Sequence, residues 1–287
     1  MLEIYKNQKG KDEVLNSYND LLKQWGVEFV EEDVQTTFGS THCILAGKRE
    51  SPPLLLLHGV GDNSVVMWVL NIKELSSHFF CIAVDTMGGP GKSIPNDQFT
   101  KDHFTQQQWL NEIVNHYKWN QFNMAGMSNG GVMAFNYAVK ESSRVRKVVC
   151  LESGMVTNPM KAIISTLGMM FPEILLPTKK NMTKIMKKMI SPNSDAFEKN
   201  PQFMEHLLLL MKLHNRKAMF VHNIDKYDRE ASIKIRDKFY FILGDYCVEQ
   251  KKEFIDLLLE GGYRYKVIEN AGHGVNHEQS EKVNKKR

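Results

Sequence analysis

The sequence lacks the features that mark several classes of protein. Its four cysteines form no Cys-x-x-Cys pair, so free buried thiols are expected rather than a disulfide framework. No run of about 18 apolar residues is present, which argues against a transmembrane helix. Residues 1–13 lack the apolar stretch of a secretory signal. The counts of 37 basic and 33 acidic residues are too balanced to indicate nucleic-acid binding. We therefore expect a cytoplasmic protein that does not insert stably into a membrane.

Alternating strand and helix signals predict a parallel sheet. Apolar runs occur at residues 54–57, 79–85, 122–127 and 145–152, with helix-like segments between them, and strand signals resume at 239–243 and 263–268. Runs that are apolar at every position are typical of strands covered on both faces. An amphipathic helix at 12–25 and a hairpin formed by 27–34 and 41–46 come first. The pattern predicts an α/β fold.

A helical block interrupts this alternation. Residues 154–222 have no strand signal, contain 10 of the 16 methionines and are broken by five prolines. We expect a helical cap at 154–222 inserted into a core formed by 1–153 and 223–287. Cap residues Met155, Met169, Met170, Met211 and Phe171 are candidates for an adaptable apolar pocket, although each could simply pack cap helices together.

The pentapeptide Gly-Met-Ser-Asn-Gly at residues 126–130 is the strongest functional signal. It lies between an apolar strand and a helical segment, the context in which a G-x-S-x-G sequence forms a sharp turn that exposes its serine. Because the segment after it resembles a packed helix, a hairpin turn at Asn129-Gly130 is disfavoured. The pattern predicts Ser128 as a nucleophile.

The sequence also offers partners for this serine. The backbone N–H groups of Val60, in a His-Gly-Val-Gly loop after the first buried strand, and of Asn129 are the expected oxyanion donors. His273, flanked by glycines after the last strand signal, is the candidate base, and the nearby His277 is expected on the surface. A carboxylate must orient the imidazole. Asp245, after the strand at 239–243, is our choice, with Glu152 and Glu249 as alternatives.

These motifs resemble a known family. The segments that carry the resemblance are residues 37–42, 58–61 with Trp68, 85–93, 126–131 and 272–274. Together they are similar to the bacterial α/β-hydrolases with a helical cap, and within them to a group of intracellular carboxylesterases.

The resemblance implies a mostly parallel eight-stranded sheet, an acyl-enzyme mechanism, no cofactor or metal, and a small-molecule ester substrate. Ser128 falls on the family nucleophile, His273 on the base, and Val60 and Asn129 on the oxyanion donors, whereas Asp85 falls on a structural position. The sequence departs from the family in its acid loop, where Cys247 stands at the usual acid position, so Asp245 or Glu152 must substitute.

Several functions and one membrane contact stay open at this point. Beside carboxylic ester hydrolysis by a monomer or homodimer, the same residues could cleave another acyl or C–C bond. From a different class, the chain could be a ligand-binding or signalling protein with little turnover. The segment at 179–190 is basic and amphipathic, so it could touch an anionic lipid surface, but a solvated cap helix is preferred.

Overall fold

A mixed β-sheet forms the centre of the molecule. The structure, a computed structural model, describes residues 2–246 and 251–285. The strands are β1 (Phe29–Thr36), β2 (Gly39–Ala46), β3 (Pro53–Leu57), β4 (Phe80–Val84), β5 (Ile94–Pro95), β6 (Phe122–Met127), β7 (Val145–Leu151), β8 (Phe239–Gly244) and β9 (Arg264–Ile268). Eight of them follow the order β1-β2-β4-β3-β6-β7-β8-β9, and the two-residue β5 pairs with β2.

The strand directions agree with the predicted fold class. Every neighbouring pair from β4 through β3, β6, β7 and β8 to β9 is parallel. The antiparallel pairing of β1 with β2 forms the hairpin expected near the N-terminus. The prediction of a mostly parallel sheet with flanking helices is confirmed.

Helices cover both faces of this sheet. They are α1 (Gln8–Leu22), α2 (Ser64–Trp68), α3 (Ile72–His78), α4 (Gln106–His116), α5 (Asn129–Lys140), α6 (Pro159–Met170), α7 (Lys179–Met189), α8 (Ala196–Lys199), α9 (Pro201–Leu213), α10 (Arg229–Lys234), α11 (Lys252–Gly261), α12 (Val275–Glu278) and α13 (Ser280–Asn284). Side chains on a strand alternate between its two faces. Accordingly, Leu55 and Leu57 of β3 pack with α4 and α5, whereas Leu54 and Leu56 pack with α1, α2 and α3.

The polypeptide between β7 and β8 is helical and lies over one end of the sheet. It contains α6 to α10, and buried side chains of α7 and α9 join the same apolar cluster as Leu54 and Leu56 of β3. His206 of α9 also bonds to the core, because its Nδ1 lies 2.8 Å from the Ser17 hydroxyl of α1. We call residues 154–222 the cap; the division of the chain into cap and core at these bounds stays a prediction.

No helix among residues 2–246 and 251–285 is long and apolar enough to cross a membrane. Three of the cysteines, Cys43, Cys81 and Cys150, are buried free thiols. The fourth, Cys247, lies outside the described residues, as does Glu249.

Candidate active site

The turn between β6 and α5 holds Ser128 in a strained conformation. Ser128 has φ 53° and ψ −122°, a region that L-residues seldom adopt, and its backbone precedes the first turn of α5. The two flanking glycines allow this geometry. A Cβ on Gly130 would lie 2.3 Å from the carbonyl oxygen of Leu57, and one on Gly126 would lie 2.2 Å from that of Gly130. Glycine is required here because the turn presses against its neighbours.

His273 reaches this serine from the loop after β9. Its Nε2 lies 3.1 Å from the Oγ of Ser128, within hydrogen-bonding distance. Its backbone N–H donates to the carbonyl oxygen of Met189 at 2.6 Å, so the loop is also tied to the end of α7. The imidazole is therefore placed where it can accept the hydroxyl proton.

Glu152, at the end of β7, stands behind the imidazole. Its Oε2 lies 3.6 Å from Nδ1 of His273, within the range of an ion pair but longer than a hydrogen bond. Its Oε1 accepts from Nζ of Lys251 at 2.8 Å and from the N–H of Gly244 at 2.5 Å. The side chain is only 3% exposed. Burial opposes its ionisation, but His273 and Lys251 outweigh this and hold the pKa of Glu152 below its ordinary value.

Asp245 is placed differently. Its Oδ1 accepts from the N–H of Ala271 at 3.2 Å, so the carboxylate braces the backbone of the loop before His273. The sheet order explains the difference: β7 neighbours β6 and carries Glu152, whereas Asp245 follows β8, one strand further away. The geometry does not support the choice of Asp245 as the acid, and the side chain that faces the imidazole is the alternative, Glu152.

Comparison with known proteins agrees with this architecture. The family model described as alpha/beta hydrolase fold matches residues 52–194, from β3 through the turn between β6 and α5 that carries Ser128, which we call the elbow, into the cap. The crystal structure of carboxylesterase CesB (YbfK) from Bacillus subtilis superposes with a TM-score of 0.76 over 96% of both chains at 22% identity. The chain has the α/β-hydrolase fold.

Sequence relatives with this fold include carboxylesterases. Carboxylesterase YbfK of Bacillus subtilis (strain 168) is 27% identical over 278 residues, which cover 94% of this chain and 90% of YbfK. The uncharacterized carboxylesterase nap of the same organism is 35% identical over 136 residues, 47% of this chain and 44% of nap. The naproxen esterase structure from Bacillus subtilis has a TM-score of 0.76 at 23% identity over 97% of both chains. The resemblance inferred from the motifs is thereby confirmed.

In this α/β-hydrolase fold, the loop after β3 lies against the elbow. A Cβ on Gly59 would be 3.4 Å from the Cβ of Ser128, and Val60 follows directly and lines the same cavity as Ser128. Asn129 is the first residue of α5. Val60 and Asn129 therefore both lie near the turn that carries Ser128, and their role as oxyanion donors stays a prediction.

Two buried side chains brace this loop. His58 accepts from the N–H of Thr86 through Nε2 at 2.8 Å, which leaves its Nδ1–H to donate to the carbonyl oxygen of Gly59. Burial lowers the pKa of His58, consistent with this neutral tautomer. Asp85 accepts from the N–H groups of Ser64 and Lys92, so its carboxylate shapes the loops beside the site, as the resemblance implies.

A cavity of about 200 Å³ opens above Ser128 and His273. Eight methionines contribute to its wall: Met67, Met127, Met169, Met170, Met182, Met186, Met189 and Met211. Of the other pocket candidates, Met155 packs in the hydrophobic core and Phe171 is exposed. Among the described residues, Asp62 is the one acidic group that lines the wall, and burial raises its pKa to about 7. The cavity can therefore hold an apolar group beside the nucleophile.

Sequence reasoning missed Glu278. Its Oε1 accepts from the N–H groups of Gly272 and Gly274 at 2.9 and 3.1 Å, and its Oε2 accepts from the N–H of Ser191 at 2.7 Å. This carboxylate holds both residues that flank His273 and ties their loop to the cap. A glutamate one helical turn after a glycine-rich loop is the signal that could have indicated it, by analogy with a capping box.

The expectation that His277 is a surface residue is wrong. His277 is buried, and its Nε2 lies 2.8 Å from the carbonyl oxygen of Val66. Burial lowers its pKa, so it packs as a neutral ring. The short α12 turns this side chain inward against α2, and the polar sequence around it did not reveal that contact.

Proposed function

We propose that the protein is a serine hydrolase that cleaves carboxylic esters through an acyl-enzyme intermediate. The observation that carries the proposal is the 3.1 Å contact between the Oγ of Ser128 and Nε2 of His273 at an apolar cavity. We assign Glu152 as the acid of the triad, since its carboxylate lies behind Nδ1 of His273. A base that contacts the nucleophile, and is itself oriented by a third group, is the arrangement that such catalysis needs.

Acylation begins when the Oγ of Ser128 attacks the ester carbonyl carbon and its proton passes to Nε2 of His273. The negative carbonyl oxygen then accepts hydrogen bonds from the N–H groups of Val60 and Asn129, each contributing about 2.7–4 kcal/mol to the transition state. Glu152 stabilises the imidazolium. His273 returns the proton to the departing alcohol oxygen, and the tetrahedral intermediate collapses to the acyl-enzyme.

Deacylation repeats these steps with water. His273 removes a proton from a water molecule, the resulting oxygen nucleophile attacks the acyl carbon, and the carboxylic acid leaves as the Oγ of Ser128 is reprotonated. Both halves of the reaction use the protein's own side chains, so no metal or cofactor is part of the proposal.

The cavity supports a substrate with a modest apolar group. Methionine side chains are flexible and polarizable, so a wall rich in them can adapt to acyl or alcohol groups of different shape. The similarity to carboxylesterase YbfK over 94% of the chain supports ester rather than C–C cleavage. The cytoplasmic location expected from the sequence is part of this proposal, and the buried free thiols are compatible with it.

Hydrolysis of p-nitrophenyl butyrate by the wild type and by Ser128→Ala tests the proposal. We expect turnover in the wild type and loss of at least 1000-fold in the variant, because removal of any triad member costs several powers of ten. Ser77→Ala, at an exposed serine of α3, is the matched control and should retain full activity. Turnover that survives in Ser128→Ala, or none in the wild type together with tight ligand binding, would overturn the proposal; the latter result would favour the ligand-binding alternative.

A further inference from the structure

Helix α6 of the cap carries an apolar face that is open to solvent. Met160, Ile164 and Leu167 are 64%, 62% and 52% exposed, and their spacing of four and three residues places them on one side of the helix. No residue of α6 is buried. Three further apolar side chains are exposed in the segment that follows the helix, namely Phe171, Leu175 and Leu176.

The opposite side of α6 faces the cavity. Thr166, Met169 and Met170 line its wall, so α6 is apolar both towards the substrate cavity and towards the outside. A helix that is apolar all round is normally buried, and a contiguous exposed apolar patch marks an interaction surface. The outer side of α6 therefore has the character of a contact surface that another body covers.

Helix α7, which contacts α6, presents lysines on its outer side. Met182, Ile185 and Met186 are buried and line the cavity, whereas Lys180, Lys184 and Lys187 are exposed. Because the inner sides of α6 and α7 line the same cavity, their outer sides both form the outward surface of the cap. We call this surface, made of the exposed residues of 160–176 and the lysines of α7, the outer cap face.

The charges of this face are almost all positive. Residues 159–190 contain six lysines and one acidic residue, Glu173, which pairs with Lys188 at 2.6 Å. A second copy docking on the same face in a symmetric dimer would bring lysines against lysines. Apolar side chains bordered by lysines instead match the interface of a bilayer with anionic headgroups, where the apolar groups enter the acyl boundary and the lysines meet the headgroups.

We propose that the outer cap face binds the surface of anionic lipid membranes. The contact is peripheral, in keeping with the finding that no described helix could span a bilayer. The sequence alone favoured a solvated helix at 179–190 over a lipid contact. The exposed apolar side of α6 is an independent second signal, and it favours the lipid contact. The inference does not rest on the proposed esterase activity, since it concerns only the outer side of the cap.

Sedimentation with vesicles tests this contact in the Ser128→Ala background, where turnover plays no part. The intact protein should sediment with vesicles that contain phosphatidylglycerol and at least tenfold less with pure phosphatidylcholine, and the binding should weaken as salt rises. Lys184→Glu with Lys187→Glu should lower the partition coefficient at least tenfold. Ile164→Ser with Leu167→Ser should lower it similarly by removing apolar side chains.

Two matched controls distinguish binding by the outer cap face from a general effect of net charge or of exposed apolar residues. Lys101→Glu with Lys234→Glu changes the net charge equally at exposed lysines of the core, and Leu259→Ser removes an exposed leucine of α11. Both should keep wild-type binding. None of the substituted cap residues lines the cavity, so with Ser128 restored their hydrolysis of the soluble ester should stay within twofold.

Three outcomes overturn the inference: equal sedimentation with both kinds of vesicle, no sedimentation with either, or an equal loss of binding in the controls. Self-association of the lipid-free protein that the cap variants abolish would also overturn it, in favour of a second copy. Failure of the ester assay would leave these binding results interpretable, because they are measured without turnover.

Discussion

Replacing Glu152 by glutamine removes the negative charge behind His273 while nearly preserving the shape of the side chain. Two unit charges 3.6 Å apart attract by about 4–5 kcal/mol at an effective dielectric constant of ~20. Lys251 also forms an ion pair with this carboxylate, which reduces the share of its charge that acts on His273. We therefore expect Glu152→Gln to lose about 2–4 kcal/mol of imidazolium stabilisation. At 1.36 kcal/mol per factor of ten, kcat should fall about 30- to 1000-fold.

The assay is steady-state hydrolysis of p-nitrophenyl butyrate at pH 7, with thermal unfolding of each variant as the check on folding. The assay pH of 7 is chosen from the direction in which the pKa of Glu152 is shifted. Because the folded-state pKa of Glu152 lies below its ordinary 4.5, its stabilising contribution is present above pH 4.5 and is lost as pH falls through the folded-state pKa. At pH 7 the ionised carboxylate is therefore compared with a neutral amide.

Asp245→Asn is the matched control, since it removes a carboxylate that accepts a hydrogen bond from the N–H of Ala271. Its kcat should stay within about threefold of wild type, as expected when a single backbone contact is weakened. The reasoning is refuted if Asp245→Asn loses at least 100-fold while Glu152→Gln retains more than a third of the activity. That result would restore the acid first chosen from the sequence.

Glu278→Gln should lower kcat about tenfold with KM within twofold, because charge-assisted bonds that hold the His273 loop weaken; unchanged kinetics would refute a positioning role. Gly130→Ala should lower the free energy of unfolding by about 1–3 kcal/mol through overpacking, visible in urea unfolding, and an unchanged midpoint would contradict the elbow argument. Burial lowers the pKa of His206 to about 4, so its stabilising contribution is present above about pH 6.5 and is lost as pH falls through 4. His206→Asn should make the free energy of unfolding fall less steeply between about pH 6.5 and 4, and a profile as steep as that of the wild type would contradict this prediction. Asp62→Asn should abolish a rise in KM for apolar esters above pH 7, where the wild-type carboxyl ionises in the cavity wall; identical pH profiles would exclude this effect.

Most strands of the sheet, the turn that carries Ser128, and His273 could be predicted from local patterns. The largely apolar runs at 54–57, 122–127 and 145–152 coincide with β3, β6 and β7 to within a residue, because strands covered on both faces are rich in apolar residues. The elbow could also be predicted, since only glycine at 126 and 130 allows the backbone of the turn to approach neighbouring backbone so closely. His273 stood out for the same local reason, as a histidine between glycines after the last strand.

The contacts between distant segments could not be predicted in this way. Which carboxylate faces His273 depends on the order of β6, β7 and β8 in the sheet and on the direction of each side chain, and neither is written in a local pattern. Glu278 was missed because its partners are backbone N–H groups, including that of Ser191 in the cap. The exposed side of α6 was missed because a sequence shows that a residue is apolar but not whether anything covers it.

The sequence by itself determined the alternating α/β architecture, the serine at the elbow and its imidazole partner, because steric limits on a tight turn and the apolarity of a doubly covered strand act over only a few residues. Only the tertiary structure decided that Glu152 rather than Asp245 faces the imidazole, that Glu278 holds its loop, and that α6 leaves an apolar side uncovered. Those outcomes depend on distances between segments far apart in the chain, which only the packed sheet and cap determine.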